Sequence, residues 1–379
     1  MRRACEHGYA IVLVLSIAAG ACAENQLDVC GWNATDIVLV TEGTQIDGVV
    51  EVLESWKGDC KPAGALAIPA LAAFAPANSR EISQSARGPL GQSPFLTHVT
   101  GLRMVLFLRR SDTPAADGPT PPSPWQPASH WRDIKVSVAW IEGGQAYAFY
   151  QCSNPGPTEL LPLYLTEAQM RERIMEVVRG RSEFDEAMAG ARPQDRAKAL
   201  FEMATSRHRP FEQLRGELQW TVLGVQAKAI EALGGCGEAG LPWLQRLWRE
   251  GRFSGLYGTV VNAVRQSAGA QAGQVCADLL SEEVPFWRTT VASLSQRSPD
   301  QPADAKGERV RELRVRAQRL VYLLEALTYA PGPDCRDRVE EIRSLLQAMP
   351  PPTEGGVYTA TCLKHCARIL DKRGCPKRS

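Results

Sequence analysis

The hydrophobic period of this chain changes once, near Thr166, and that change limits the fold more than any single motif. Before it, apolar residues run together briefly or alternate with polar ones, as strands require. After it they recur every three or four residues, the period of an amphipathic helix. A strand face and a helix stripe bury their apolar residues in different ways, so a β part followed by an α part is expected. A chain of 379 residues has room for both, since domains average roughly 150 residues.

The strand-like part covers residues 30–165. Residues 36–40 (DIVLV) and 45–56 (QIDGVVEVLESW) read as strands, and 102–108 (LRMVLFL) as a buried one. Val136, Val138 and Trp140 alternate up to a turn at Gly143-Gly144, and residues 146–150 (AYAFY) alternate back, which predicts a hairpin. Residues 113–129 hold six prolines and are expected to be a long surface loop, because proline cannot sit in a central strand.

The helical part covers residues 166–372, followed by a basic tail at 373–379. Thr166 and Gln169 form a capping box ahead of the stripe Met170/Ile174/Val177/Val178. Pro193 suits the first turn of a helix carrying Ala197, Leu200, Phe201 and Ala204. Further stripes run to Leu346, predicting about ten helices of roughly 10–20 residues with Gly- or Pro-marked connections. Ile230, Leu233, Leu241, Leu244 and Trp248 recur as Val261, Val264, Ala272, Val275 and Leu279, each shifted by 31 positions. Such a repeat is the pattern of stacked helix pairs.

Two resemblances sharpen this outline. Residues 227–235 (AKAIEALGG) followed by 240–244 (GLPWL) resemble a HEAT-type repeat, which implies an α-solenoid acting as a scaffold or binding surface. Residues 49–58 (VVEVLESWKG), 66–69 (LAIP) and 101–108 (GLRMVLFL) resemble the netrin-type module, whose family includes the tissue inhibitors of metalloproteinases. That resemblance implies a small OB-like Greek-key β-barrel. The fold class expected is therefore multidomain: a small OB-like barrel followed by a HEAT-like α-solenoid. The inhibitors of that family chelate zinc through an N-terminal cysteine. Cys30 falls seven residues inside a chain starting at Glu24, so that role is not carried over.

Residues 1–23 read as a signal peptide: Arg2 and Arg3, an apolar stretch, then Ala21-Cys22-Ala23 as the cleavage site. Residues 19–22 (AGAC) also resemble a bacterial lipobox, which would place a lipid anchor on Cys22. Both address the chain to the periplasm or beyond, and no later stretch is apolar enough to predict a membrane span in the mature chain. Lys and Arg number 43 against 42 Asp and Glu, which gives no reason to expect nucleic acid.

No metalloprotease pair, nucleophile elbow, phosphate loop or dinucleotide fingerprint is present, and no cofactor is expected. Ser254 stands among helices with the wrong spacing for an elbow. His98, His130 and Asp133 are the residues left for acid–base work by a hydrolase without a motif. Trp125 and Trp131, beside the proline-rich loop, are candidates for stacking on a ligand, against the alternative that they pack the core or the loop. Arg309 and Arg316, in an arginine-rich helix, are candidates for an anion or an acidic partner, against the alternative of a solvated face with Glu308 and Glu312 as ion-pair partners. Nine of the eleven cysteines remain after cleavage, and export makes disulfides the default, with at least one thiol left over. Cys30, Cys60 and Cys152 compete for one bridge. Cys335 and Cys375 are the natural partners for Cys362 and Cys366, which are too far apart along a helix to bond to each other. The rival is a zinc site from Cys362, His365, Cys366 and Cys375. The function expected is a non-enzymatic binding or scaffold protein holding a protein or glycan in the cell envelope. The alternative is a protease inhibitor acting through the barrel.

Overall fold

A computed structural model describes residues 27–41, 49–68, 71, 103–110, 125–128, 137–151, 158–206, 217–250, 255–295, 303–332, 335–349 and 356–371. It has an antiparallel sheet followed by a helical region, and the chain divides into two compact units. The first takes Met1–Ser182 and Phe211–Val222; the second takes Glu183–Pro210 and Leu223–Ser379.

A short helix, α1 (27–33), leads into β1 (Asp36–Thr41), β2 (Val49–Lys57), β3 (Ala65–Ala67) and β4 (Arg103–Arg110). Then come β5 (Trp125–Pro127), β6 (Val138–Glu142), β7 (Gln145–Gln151) and β8 (Thr158–Thr166). The strand order is β3-β2-β1-β4-β6-β7-β8, with β5 on β4. Strands β1 to β4 thus take the Greek-key order, the fourth returning to lie beside the first. Among the described residues β3 does not pair with β8, so the sheet is open where a closed barrel was expected.

Alternation sorts the side chains of this sheet onto two faces, and both are buried. Val38, Val40, Val50, Val52, Met104, Leu106, Leu108, Val138 and Trp140 share one core with Ile68 and Leu71. Ile37, Leu39, Val105, Phe107, Ala139, Ile141, Ala146, Ala148, Leu163 and Leu165 share the other with Leu27 of α1. Burial on both faces is why residues 37–40 and 104–108 are continuously apolar rather than alternating. The helix after the sheet, α2 (Glu167–Met188), begins at the expected capping box, with Gln169 N–H donating to Thr166 Oγ1 at 3.3 Å and Thr166 N–H to Gln169 Oε1 at 2.8 Å. Its Met170 and Ile174 complete the second core. The compact unit therefore extends beyond the change of period. Arg173 is fully buried and donates through Nε and Nη2 to the two oxygens of Asp28, each at 2.8 Å, pinning α1 to α2.

The proline-rich loop contains one departure from expectation. Trp125–Pro127 forms a short edge strand opposite Leu108–Arg110. An edge strand tolerates the missing proline N–H.

The helical region continues through α3 (Pro193–Ser206), α4 (Glu217–Gly234), α5 (Leu241–Glu250), α6 (Tyr257–Ala268), α7 (Ala272–Ser295), α8 (Ala303–Tyr329), α9 (Cys335–Ala348) and α10 (Gly356–Asp371). In the second unit α7 packs on α9, while α6 packs on α8 and α8 on α10. Successive pairs α5/α6, α7/α8 and α9/α10 pack across. Alternate helices therefore form two layers. The 31-residue echo in sequence corresponds to a helix, a 3₁₀ turn and a helix, twice over: α4, Gly237–Ala239, α5, then α6, Gly269–Gln271, α7. Gly237 and Gly269 open those turns at φ +60° and +53°, a region other residues reach only with strain. Ion pairs Arg249–Glu282, Asp278–Arg338 and Arg288–Glu341 lace α5, α7 and α9 along their exposed side. No described helix is long and apolar enough to cross a membrane.

Candidate functional site

The strongest polar constellation of the sheet unit gathers at one end of β1. Asp36 is fully buried, yet it opens an apolar strand, so its carboxylate needs partners. It finds them on three chain segments. Thr35 Oγ1 donates to Oδ2 at 2.8 Å, the Asp59 N–H to Oδ1 at 3.1 Å, and the Cys60 thiol to Oδ1 at 3.5 Å. Arg110, at the end of β4, donates from Nε to Oδ2 at 3.2 Å and from Nη2 to Oδ1 at 3.1 Å. Charge-assisted, bidentate contacts of this kind are the strong ones. Hydrogen bonding to Asp36, the first cause, raises Arg110 above its usual range.

Arg110 carries this buried anchor to the surface. Its side chain is 46% exposed, its Nη2 also reaches Asp59 Oδ2 at 3.1 Å, and its guanidinium carbon lies 5.4 Å from the Trp125 ring centre. The cation stacked on the indole is a cation–π contact of modest strength but fixed geometry. Trp125 is thus brought to the site half-buried, beside Arg110 and packed against the core that contains Val38, Val40 and Leu108. The expectation passed over Asp36, Asp59 and Arg110. Asp36 starting an otherwise apolar strand was the available signal.

Gly58 makes the constellation possible. It adopts φ +85°, and a Cβ there would lie 2.1 Å from Asp36 Oδ1. Gly58→Ala is expected to cost about 2 kcal/mol or more, from backbone strain plus displacement of the carboxylate. Urea unfolding midpoints compared with wild type would show it; an unchanged midpoint would place Asp36 elsewhere.

The helical unit holds a second constellation, which contains Arg316. Glu283 of α7 and Arg319 of α8 are buried and paired at 2.6 Å. Arg316, one turn earlier, donates to Glu283 Oε2 at 3.2 Å, and its guanidinium sits 4.8 Å from the Phe286 ring centre. Arg319 stacks on Trp248 at 4.5 Å and lies 5.4 Å from the Tyr257 ring centre. Burial lowers Arg319 against the pull of Glu283 and raises the Tyr257 phenol. Arg316 is thus tied to an internal carboxylate. Arg309 lies on α8, with its side chain outside the described residues.

No disulfide joins the described cysteines. Cys30 and Cys60 belong to the two cores on opposite faces of the sheet, which is why the ends of β1 and β2 do not bring their thiols together. Burial pushes Cys30 up to about 12, and burial with Asp36 beside it pushes Cys60 up to about 11. Cys362 and Cys366 are both buried on α10, and Cys335 is buried on α9. The Cys362 thiol donates to the Ala317 carbonyl at 3.7 Å; burial, then Cys366, raises it. Burial pushes Cys366 up to about 12 against the pull of Arg343. His365 Nδ1 lies 3.4 Å from Thr328 Oγ1, and burial lowers the imidazole. Among the described residues no three His, Cys, Asp or Glu side chains gather as a metal site needs. Residues 1–23, His98, His130, Trp131, Asp133, Cys152, Ser254 and Cys375 lie outside the described residues. No protein-family model, curated protein or solved structure matches the chain.

Proposed function

We propose that this chain is a non-enzymatic exported binding protein of the cell envelope, presenting fixed surfaces to a protein or glycan partner. In this reading the sheet unit is an OB-like module, the helical unit a HEAT-like scaffold, and residues 1–23 the export signal. One observation carries the proposal: Arg110, half-exposed beside the partly buried Trp125, is held by a fully buried carboxylate. An arginine locked before a ligand arrives loses little conformational entropy on binding, which is the advantage of preorganisation. Indole, guanidinium and the 86%-exposed Asp59 carboxylate offer a stacking face, donors and an acceptor side by side. That set suits a sugar ring or a polar peptide. Inhibition of a protease by the netrin-type route needs a projecting cysteine, and Cys30 is buried.

The test is binding of the full mature chain to arrays of envelope glycans and peptides, with Trp125→Ala beside it. Specific retention that Trp125→Ala weakens at least ten-fold, about 1.4 kcal/mol, supports the reading. Turnover of an arrayed compound, or retention indifferent to Trp125, overturns it.

A further inference from the structure

The helical unit's internal constellation holds more donors than acceptors. Both Glu283 oxygens are occupied, Oε1 by Arg319 and Oε2 by Arg316. Arg319 Nε, Trp248 Nε1 and Trp287 Nε1 remain buried with no acceptor among the described residues. The guanidinium of Arg319, which carries one of these N–H groups, is stacked on the Trp248 indole, which carries another, its carbon 4.5 Å from the ring centre. Trp287 follows Glu283 by one turn of α7, which puts its Cβ on the same side of that helix. Leaving a buried donor unmade costs about 1–3 kcal/mol each, and folded proteins rarely leave several together.

The charges point the same way. The titratable groups facing Arg319 are Glu283, Arg316 and Tyr257. Two guanidiniums and a neutral phenol against one carboxylate leave a net positive charge. Arg316 is 31% exposed, so the cluster has a side open to water.

We propose that Arg319, Trp248 and Arg316 form an internal binding site for a small monoanion of about chloride's size. The ion accepts from Arg319 Nε and Trp248 Nε1, supplying the acceptor those donors lack and balancing the second arginine.

The experiment uses crystals of the full mature chain soaked in sodium bromide, with anomalous data collected at the bromine edge. A bromide peak within hydrogen-bonding distance of Arg319 Nε and Trp248 Nε1 is the result expected. In solution, chloride should raise the melting temperature saturably, and Arg316→Gln should weaken that half-saturation at least ten-fold. Arg316 is partly exposed, so this variant is the one chosen to keep the fold. A water at the position, bromide only at surface arginines, or a chloride response equal in Arg316→Gln and wild type would each overturn the proposal.

Discussion

Glu283→Gln is expected to destabilise the helical unit by about 3–5 kcal/mol at low halide. The glutamine keeps the size of the side chain but removes the charge that compensates Arg319, which is buried between Trp248 and Tyr257. A guanidinium cannot shed its proton to escape the cost. The adjacent residue supplies the control: Glu282 pairs with Arg249 at 2.9 Å on the exposed side of α7. Glu282→Gln should cost less than about 1 kcal/mol, because solvent screens an exposed pair. Urea unfolding followed by tryptophan fluorescence separates the two. Equal, small losses would mean that Glu283 does not hold Arg319.

Alkaline pH is expected to unfold the reduced protein through its buried thiols. Cysteine in an unfolded chain titrates near ~8.5. In the fold Cys276 is pushed up to about 11, Cys30 and Cys366 up to about 12, and Cys362 is raised as well, burial coming first in every case. Above ~8.5 the unfolded chain loses these protons while the folded chain keeps them, so the unfolded state is favoured as pH rises. Each thiol contributes a loss of about 1.4 kcal/mol per pH unit until its folded value is passed. Below ~8.5 all four are protonated in both states and add no slope. Cys276, Cys362 and Cys366 belong to the helical unit, and Cys30 with Cys60, itself pushed up to about 11, to the sheet unit, so three thiols against two should make the helical unit lose stability more steeply. Unfolding at several values between about pH 8 and 10.5, under reducing conditions, reads the slope. Cys30→Ala should reduce the slope of the sheet unit alone, leaving the share that Cys60 contributes, and a flat profile for both units would show that these thiols are not buried.

The elements were legible wherever one local rule decided them. Thr166 and Gln169 capped a helix by their spacing alone, and the turn at Gly143-Gly144 has the positive φ that its hairpin demands. The 31-residue echo was legible because each helix pair repeats the same burial. What escaped depended on residues distant in sequence. Asp36 lies 74 positions from Arg110, and nothing local showed that the two would meet. Residues 158–166 escaped as a strand because Pro162 interrupts them, although that proline sits opposite Tyr147 in the sheet. The boundary at Thr166 marked a change of period but not of core, since Met170 and Ile174 still pack beneath the strands. The Cys30–Cys60 bridge failed for a related reason. Strand ends can be neighbours while their thiols occupy opposite faces. Of the proposed surface, Trp125 was legible as an aromatic beside a proline-rich stretch, whereas the carboxylate that holds its arginine was not.

The helical unit carries a surface pair of similar chemistry, which provides a direct comparison. Tyr329 is 68% exposed, with the Arg265 guanidinium 5.7 Å from its ring centre. Among the described residues no buried carboxylate pairs with that arginine, in contrast to the lock that Asp36 gives Arg110. The decisive measurement is the affinity of one array-selected ligand for wild type, Trp125→Ala and Tyr329→Ala, each as the full chain. A loss of at least ten-fold (~1.4 kcal/mol) with Trp125→Ala and less than about two-fold with Tyr329→Ala is predicted. The reverse ranking, or equal affinities for all three, would contradict the assignment of binding to the Asp36-anchored surface.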